Sequence, residues 1–174
     1  MLNFGFNRSG CNRINRLRHA LLLLCALSLA ACGFHLRGVA NVPFESAYIG
    51  GSASIMGDLK KSLASNGVKI LRNEGDAQVS VELLSESNDK RILSLSGGGK
   101  VREYELVYIL TYRMRDASTP EWGPEQRVEI RRDFSYDDSQ LLAKSFEEAR
   151  LQNDMRAEVV REVIRRLSAT APRK

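Results

Sequence analysis

The sequence predicts an α+β domain: a two-layer sandwich in which a small mixed four-stranded sheet, in the element order β-α-β-β-β-α, carries two helices packed on one face. Three observations predict it. Tyr104, Leu106, Tyr108, Leu110, Tyr112 and Met114 form an unbroken even-numbered apolar face, which is the period of two expected of a half-buried strand. Apolar residues recur at helical spacing on either side of this region, at Ile55, Leu59 and Leu63 and again from Leu142 to Leu167. Between them, Gly97-Gly98-Gly99-Lys100 and Pro120-Glu121-Trp122-Gly123-Pro124 punctuate the chain as turns.

The elements follow in order. Ala47-Tyr48-Ile49 is a short strand that stops at Gly50-Gly51. Ser54 is placed to cap the helix that follows, and Asn66-Gly67 supplies its left-handed exit. From Gln78 the period becomes two: Val79, Val81 and Leu83 alternate with Ser80 and Glu82. After a polar interruption at Ser85 to Lys90, Leu93 and Leu95 resume the same parity, so the strand is long and bulged. The next strand, Val101 to Arg115, has 15 residues and would reach about 50 Å, which projects the glycine-rich tip as a contact surface. Val128, Ile130, Phe134 and Tyr136 mark the last strand, with Arg132 the one charged intruder on that face. Asp137-Asp138-Ser139 then caps a final helix whose stripe runs Leu142, Phe146, Ala149, Met155, Val159, Val163 and Leu167. Glu158, Arg161, Glu162, Arg165 and Arg166 read as its solvated face.

The ends of the chain carry other information. Arg13, Arg16, Arg18 and His19, the apolar run Ala20 to Leu29 and the small pair Ala30-Ala31 form a secretory signal peptide. Leu29-Ala30-Ala31-Cys32 resembles the lipobox of bacterial lipoproteins, which makes Cys32 the lipid attachment site, carrying S-diacylglycerol and an N-acyl chain. A thiolate suits that chemistry, and several acyl chains make the anchor effectively permanent. Gly33, in place of Asp, implies delivery to the outer membrane. The expected organisation is residues 1–31 as a cleaved leader, 32–43 as a lipidated tether, 44–168 as one domain and 169–174 as a tail.

Cys11 and Cys25 leave with the leader, so the mature chain holds no internal disulfide. Its 143 residues, 174 less 31, are enough to fold by burial alone. The formal charge of +5 also dissolves: four of the 26 basic residues precede residue 32 and no acid does, leaving 22 against 21 acids. That removes the main support for nucleic-acid binding. The 12-residue apolar run Ala20 to Ala31 is well short of the roughly 20 residues a spanning helix needs.

Catalytic chemistry is poorly represented. The mature chain has a single His, His35, no free Cys and no Gly-x-Ser-x-Gly elbow. Gly97 to Lys100 lacks the first Gly and the final Ser or Thr of a phosphate loop. Asp133, Asp137 and Asp138 lack calcium-loop spacing, and no His or Cys cluster suits zinc. The expectation is a binding protein, not an enzyme, with no metal and no cofactor beyond the lipid.

Cys32-Gly33-Phe34-His35-Leu36-Arg37-Gly38 with Val42-Pro43 resembles the start of the mature chain in the LptE family of lipopolysaccharide-assembly lipoproteins. The likeness continues through Leu59 to Leu71, Arg102 to Leu106, Arg132 to Asp137, Leu142-Ala143-Lys144 and Val163 to Leu167. The resemblance implies a plug inside the LptD β-barrel that assists barrel assembly and binds lipopolysaccharide, held at the periplasmic face of the outer membrane. It implies lipopolysaccharide contacts at Lys100, Arg102 and Lys144, positions that equally fit ordinary solvated residues. The tip, Gly97-Gly98-Gly99, departs from the family by lacking a basic residue. Two other readings share the anchor: a free-standing periplasmic lipoprotein that binds cell-wall glycan or regulates another envelope enzyme, and a glycan-cleaving enzyme built on a carboxylate pair.

Overall fold

The computed structural model describes residues 42–119 and 121–170. Its elements are β1 (Ser46–Gly51), α1 (Met56–Ser65), β2 (Lys69–Ile70), β3 (Val79–Leu95), β4 (Val101–Asp116), β5 (Gln126–Ser135) and α2 (Leu141–Thr170), with single 3₁₀ turns at Glu74–Asp76 and Asp138–Gln140. The strands form one mixed sheet in the order β2-β1-β3-β4-β5. β1 runs parallel to both β2 and β3, and β3, β4 and β5 are antiparallel.

The α+β class, the mixed sheet and the two helices are as expected, but the sheet has five strands in place of four. The extra one is β2. The chain leaves α1 through Gly67 at φ +84° and buries Val68. The Lys69 and Leu71 N–H groups then donate to the Glu45 and Ala47 carbonyls at 2.8 and 2.9 Å. Two residues are too few to leave a period in the sequence.

One core lies between the sheet and the helices. It joins Ala47 and Ile49 of β1, Val79, Val81 and Leu83 of β3, the even-numbered residues of β4 from Leu106 to Met114, and Val128 and Phe134 of β5. Onto these pack Leu59 and Leu63 of α1 and Met155, Val159, Val163 and Leu167 of α2.

A bulge in β3 reorganises the distal half of the sheet. Leu83 pairs with Tyr112, but Ser85 pairs with Thr111, so Leu84 is the extra residue. Before it the odd residues of β3 face the helices; beyond it, as far as the next register shift after Ile92, the even ones do, because one inserted residue reverses the side chains that follow it. Glu86, Asn88, Lys90 and Ile92 therefore lie opposite Leu110, Tyr108, Leu106 and Tyr104. The expected resumption of parity at Leu93 and Leu95 does not occur, and both residues are exposed.

The two helices end at different levels. α1 is short, whereas α2, with 30 residues, extends about 45 Å. Its Lys144 and Glu148 reach Ser135 and Lys90, well beyond the start of α1. The stripe expected on α2 is buried only from Met155 onward; Leu142 and Phe146 are 72% and 68% exposed, because α1 does not extend far enough to cover them. Arg132, the charged intruder on β5, pairs with Glu158 of α2. Arg166 donates to the Arg127 carbonyl at 2.9 Å, so part of the charged face of α2 clamps the helix to β5.

The opposite face of the sheet carries ion pairs. Arg113 and Arg115 bind Glu82 and Glu74, each at 2.6 Å, and both guanidinium groups lie over the Trp122 ring, 4.8 and 5.1 Å from its centroid. The segment after β4 is held by the Gly123 N–H, which donates to the Met114 carbonyl at 2.9 Å.

Candidate functional site

The β3–β4 hairpin sets the position of Lys100 and Arg102. The Ser96 N–H donates to the Lys100 carbonyl at 2.7 Å, and the Gly99 N–H donates to the Ser96 carbonyl at 2.9 Å. Gly99, at φ +76°, adopts the left-handed conformation that favours glycine. This accounts for one glycine of the three. Gly97, Gly98, Gly99, Lys100 and Arg102 are all exposed.

Lys144 comes to the same end of the domain along a different route. The Arg102 carbonyl accepts from the Tyr136 N–H at 2.7 Å, which carries β5 to Asp137. The Asp137 carboxylate accepts from the Ser139 N–H at 2.9 Å and the Ser139 hydroxyl at 2.8 Å, capping the turn that opens into α2. These bonds, followed by the nearby charges of Lys144 and Lys100, lower the Asp137 pKa. Lys144 itself donates to the Ser135 hydroxyl at 3.0 Å and pairs with Glu147 at 2.8 Å; its side chain is only 16% exposed. The fold thus brings Lys100 and Lys144 to one end of the domain, where both charges act on Asp137, with Arg102 linked to Tyr136 through the backbone. Acidic groups are interleaved with the cations.

Beneath this end lies a cluster that the sequence does not announce. The Lys90 Nζ stands 4.1 Å from the Tyr104 ring centroid and 5.5 and 5.9 Å from those of Phe134 and Tyr136. Tyr104 stacks on Phe134 and meets Tyr136 edge-on. Glu148 completes the cluster through a 2.6 Å ion pair with Lys90. The attraction of a cation for aromatic faces seats Lys90 on the sheet, and its ion pair with Glu148 ties α2 to the sheet at this edge of the core.

Farther in, Glu86 joins three elements. Its carboxylate accepts from the Tyr108 hydroxyl in a short hydrogen bond, from the Ser54 hydroxyl at 2.9 Å and from the Ile55 N–H at 3.2 Å. Arg156 of α2 approaches it to 3.8 Å and binds Asp58 at 2.5 Å and the Ser54 carbonyl at 2.7 Å. Ser54 therefore does not cap α1, as its position in the sequence suggests. The start of that helix instead receives a carboxylate from β3, the charge its positive end favours. Burial raises the Glu86 pKa, and the donors from Tyr108, Ser54 and Ile55 together outweigh it, for a net lowering. The Tyr108 pKa is raised, first by burial and then by the Glu86 carboxylate. The sequence signal was Tyr108 itself, since a hydroxyl on an otherwise apolar face needs a partner.

Among the described residues there is neither His nor Cys, and no group of three or more His, Cys, Asp or Glu side chains is arranged to hold a metal ion. No helix among them is long and apolar enough to cross a membrane. Cys32, the leader and the tether as far as residue 41 lie outside the described residues.

The fold defines the class first: this is a bacterial lipoprotein domain. Lipoprotein B of Nitrosomonas europaea shares 36% identity with a TM-score of 0.69, covering 79% of this chain and 91% of that one. The rare lipoprotein B of Shewanella oneidensis shares 27% with a TM-score of 0.65, covering 72% and 96%. The particular family follows, because the LptE family, described as lipopolysaccharide-assembly, matches residues 36–167, and the chain belongs to it. The LPS-assembly lipoprotein LptE of Photorhabdus laumondii is 30% identical over 159 residues, which cover 88% of this chain and 86% of that protein. That of Pectobacterium atrosepticum is 29% identical over 88% and 85%.

Proposed function

We propose that this chain is an outer-membrane lipoprotein, anchored through Cys32 at the periplasmic face, that plugs the LptD β-barrel, assists its assembly and binds lipopolysaccharide on its way to the outer leaflet. The family match from residue 36 to residue 167 carries this reading. It involves no catalysis, and the covalent lipid is the only prosthetic group. Lipid A bears phosphates, and Lys100, Arg102 and Lys144 supply cations that would pair with them. The long β3–β4 hairpin supports the same reading, since a rigid ribbon can carry Lys100 and Arg102 up a lumen while the anchor holds its base at the membrane.

The test is extraction of the tagged, lipidated chain in mild detergent, a high-salt wash and mass spectrometry of what stays bound. A large outer-membrane barrel at one-to-one stoichiometry is the expected result. Recovery of the chain alone would overturn the plug reading in favour of a free-standing lipoprotein.

A further inference from the structure

Among the described residues, β3 has a neighbour on only one side for much of its length. β1 pairs with it from Val79 to Leu83 and stops at Gly51, while β4 continues to Leu95. Which backbone groups this leaves free follows from the ladder. The Arg102 carbonyl bonds to Tyr136 beyond the end of β5, and the Met114 carbonyl bonds to Gly123 on the same side. Since N–H and C=O groups alternate sides along an antiparallel strand, the even residues of β4 between these points turn toward β5 and the odd ones toward β3. The odd residues Ile109, Val107 and Glu105 face Ser87, Asp89 and Arg91. The backbone groups of Asn88, Lys90 and Ile92 therefore point outward, and no strand among the described residues meets them.

Apolar side chains stand uncovered at the distal end of this edge and on the helix above it. Ile92, on the helix-facing side of β3, is 59% exposed. Asn153 and Arg156 line the cleft between α2 and α1. Phe146 precedes Asn153 by seven residues and Leu142 precedes Ala149 by seven, so by helical phase they continue the same face of α2 beyond the point where α1 begins. The result is a step in the two-layer sandwich: a strand edge for a floor, an apolar helix face for a wall, and open space where α1 would otherwise lie.

We infer that this step is a strand-addition site, filled by an extended segment of a second protein whose alternate side chains, those facing the helices, are apolar. Free backbone donors and acceptors select a polypeptide over an acyl chain. With the leader removed at Cys32, the segments of this sequence that flank the described residues are too short to fill the step. Ala47, at the entry to β1, is level with Val79, and Ile92 lies 13 residues farther along β3, about 43 Å away. The ten residues from Cys32 to Asn41 span at most about 33 Å. The four beyond Thr170 span about 13 Å from the opposite end of α2. A second copy fits poorly, because an antiparallel partner strand would present Glu86, Asn88 and Lys90 to Phe146. Only the identity of the donor rests on the function proposed above, which makes it the barrel protein.

Residue-resolved amide exchange tests this on the intact lipidated chain in two states: free in detergent, and as extracted from the membrane in mild detergent. The Asn88, Lys90 and Ile92 amides should exchange about 100-fold more slowly in the extracted state, with Ser87, Asp89 and Arg91 slow in both. Equal exchange of the three amides in both states would overturn the inference. Barrel content of the extract, read separately, tests the plug reading. A barrel present beside unprotected amides defeats strand addition alone. Protected amides in an extract without the barrel leave strand addition standing and defeat the plug.

Discussion

Replacing Glu86 by Ala removes the partner of three donors at once. The start of α1 loses the carboxylate that accepts from its Ile55 N–H, worth about 1 kcal/mol for a helix cap. The Tyr108 hydroxyl, on a residue 2% exposed, is left unpaired at a cost of about 1–3 kcal/mol. Glu86→Ala should therefore destabilise the domain by about 3 kcal/mol, read from urea midpoints at unchanged m. The diagnostic arm is Tyr108→Phe, which should cost about 1 kcal/mol in the wild type. In the Glu86→Ala background it should cost nothing or stabilise, because it deletes a hydroxyl already stranded. An equal cost in both backgrounds would refute the argument, since the two groups would then act independently. The pH dependence has a fixed sign. The Glu86 pKa is lowered on folding, so its contribution is full above the unfolded value near 4.5 and fades as pH falls through the folded value. The Glu86→Ala penalty should shrink in acid.

Gly51→Ala should destabilise by about 3 kcal/mol or more, because Gly51 has φ +109° and an added Cβ would lie 2.2 Å from the Leu83 carbonyl oxygen; thermal unfolding reads this directly. Met155→Ala, at a fully buried position on α2, should cost about 2–5 kcal/mol in the same assay. Cys32→Ala should yield an unlipidated or unprocessed precursor by intact mass, and normal acylation would refute the anchor. Joint replacement of Lys100, Arg102 and Lys144 by Glu should weaken lipopolysaccharide binding, with the wild-type affinity falling as salt rises; unchanged affinity would remove these residues from the site.

What the sequence revealed and what it concealed divide along physical lines. The even-numbered face of β4 was legible because one periodic run packs against one core, and Leu59 and Leu63 were legible for the same reason. β2 was not, since its place depends on two bonds to Glu45 and Ala47 carbonyls and on no pattern of its own. The bulge was foreseeable from the polar interruption, but its effect on parity was not. Ser85 to Lys90 is polar on both faces, so nothing in it reveals which side turns toward the helices. Leu142 and Phe146 carry the same periodic signal as Met155, and only the short reach of α1 separates exposed from buried. Lys100 and Lys144, 44 residues apart in the chain, come to the same end of the domain, which a linear reading does not bring together. The Glu86 network likewise required three elements to be in place before any bond in it could be recognised.

The chain contains a single tryptophan, and its ring lies under the guanidinium groups of Arg113 and Arg115, on the face of the sheet away from the core. Its fluorescence is therefore a local optical gauge of that outer face. In an unfolding experiment it would follow release of the segment after β4, while circular dichroism would follow loss of the helices and sheet. If the two signals separate along the denaturant axis, the outer strap loosens before the body of the domain; if they coincide, two guanidinium groups and one backbone bond are enough to bind that strap into the cooperative unit.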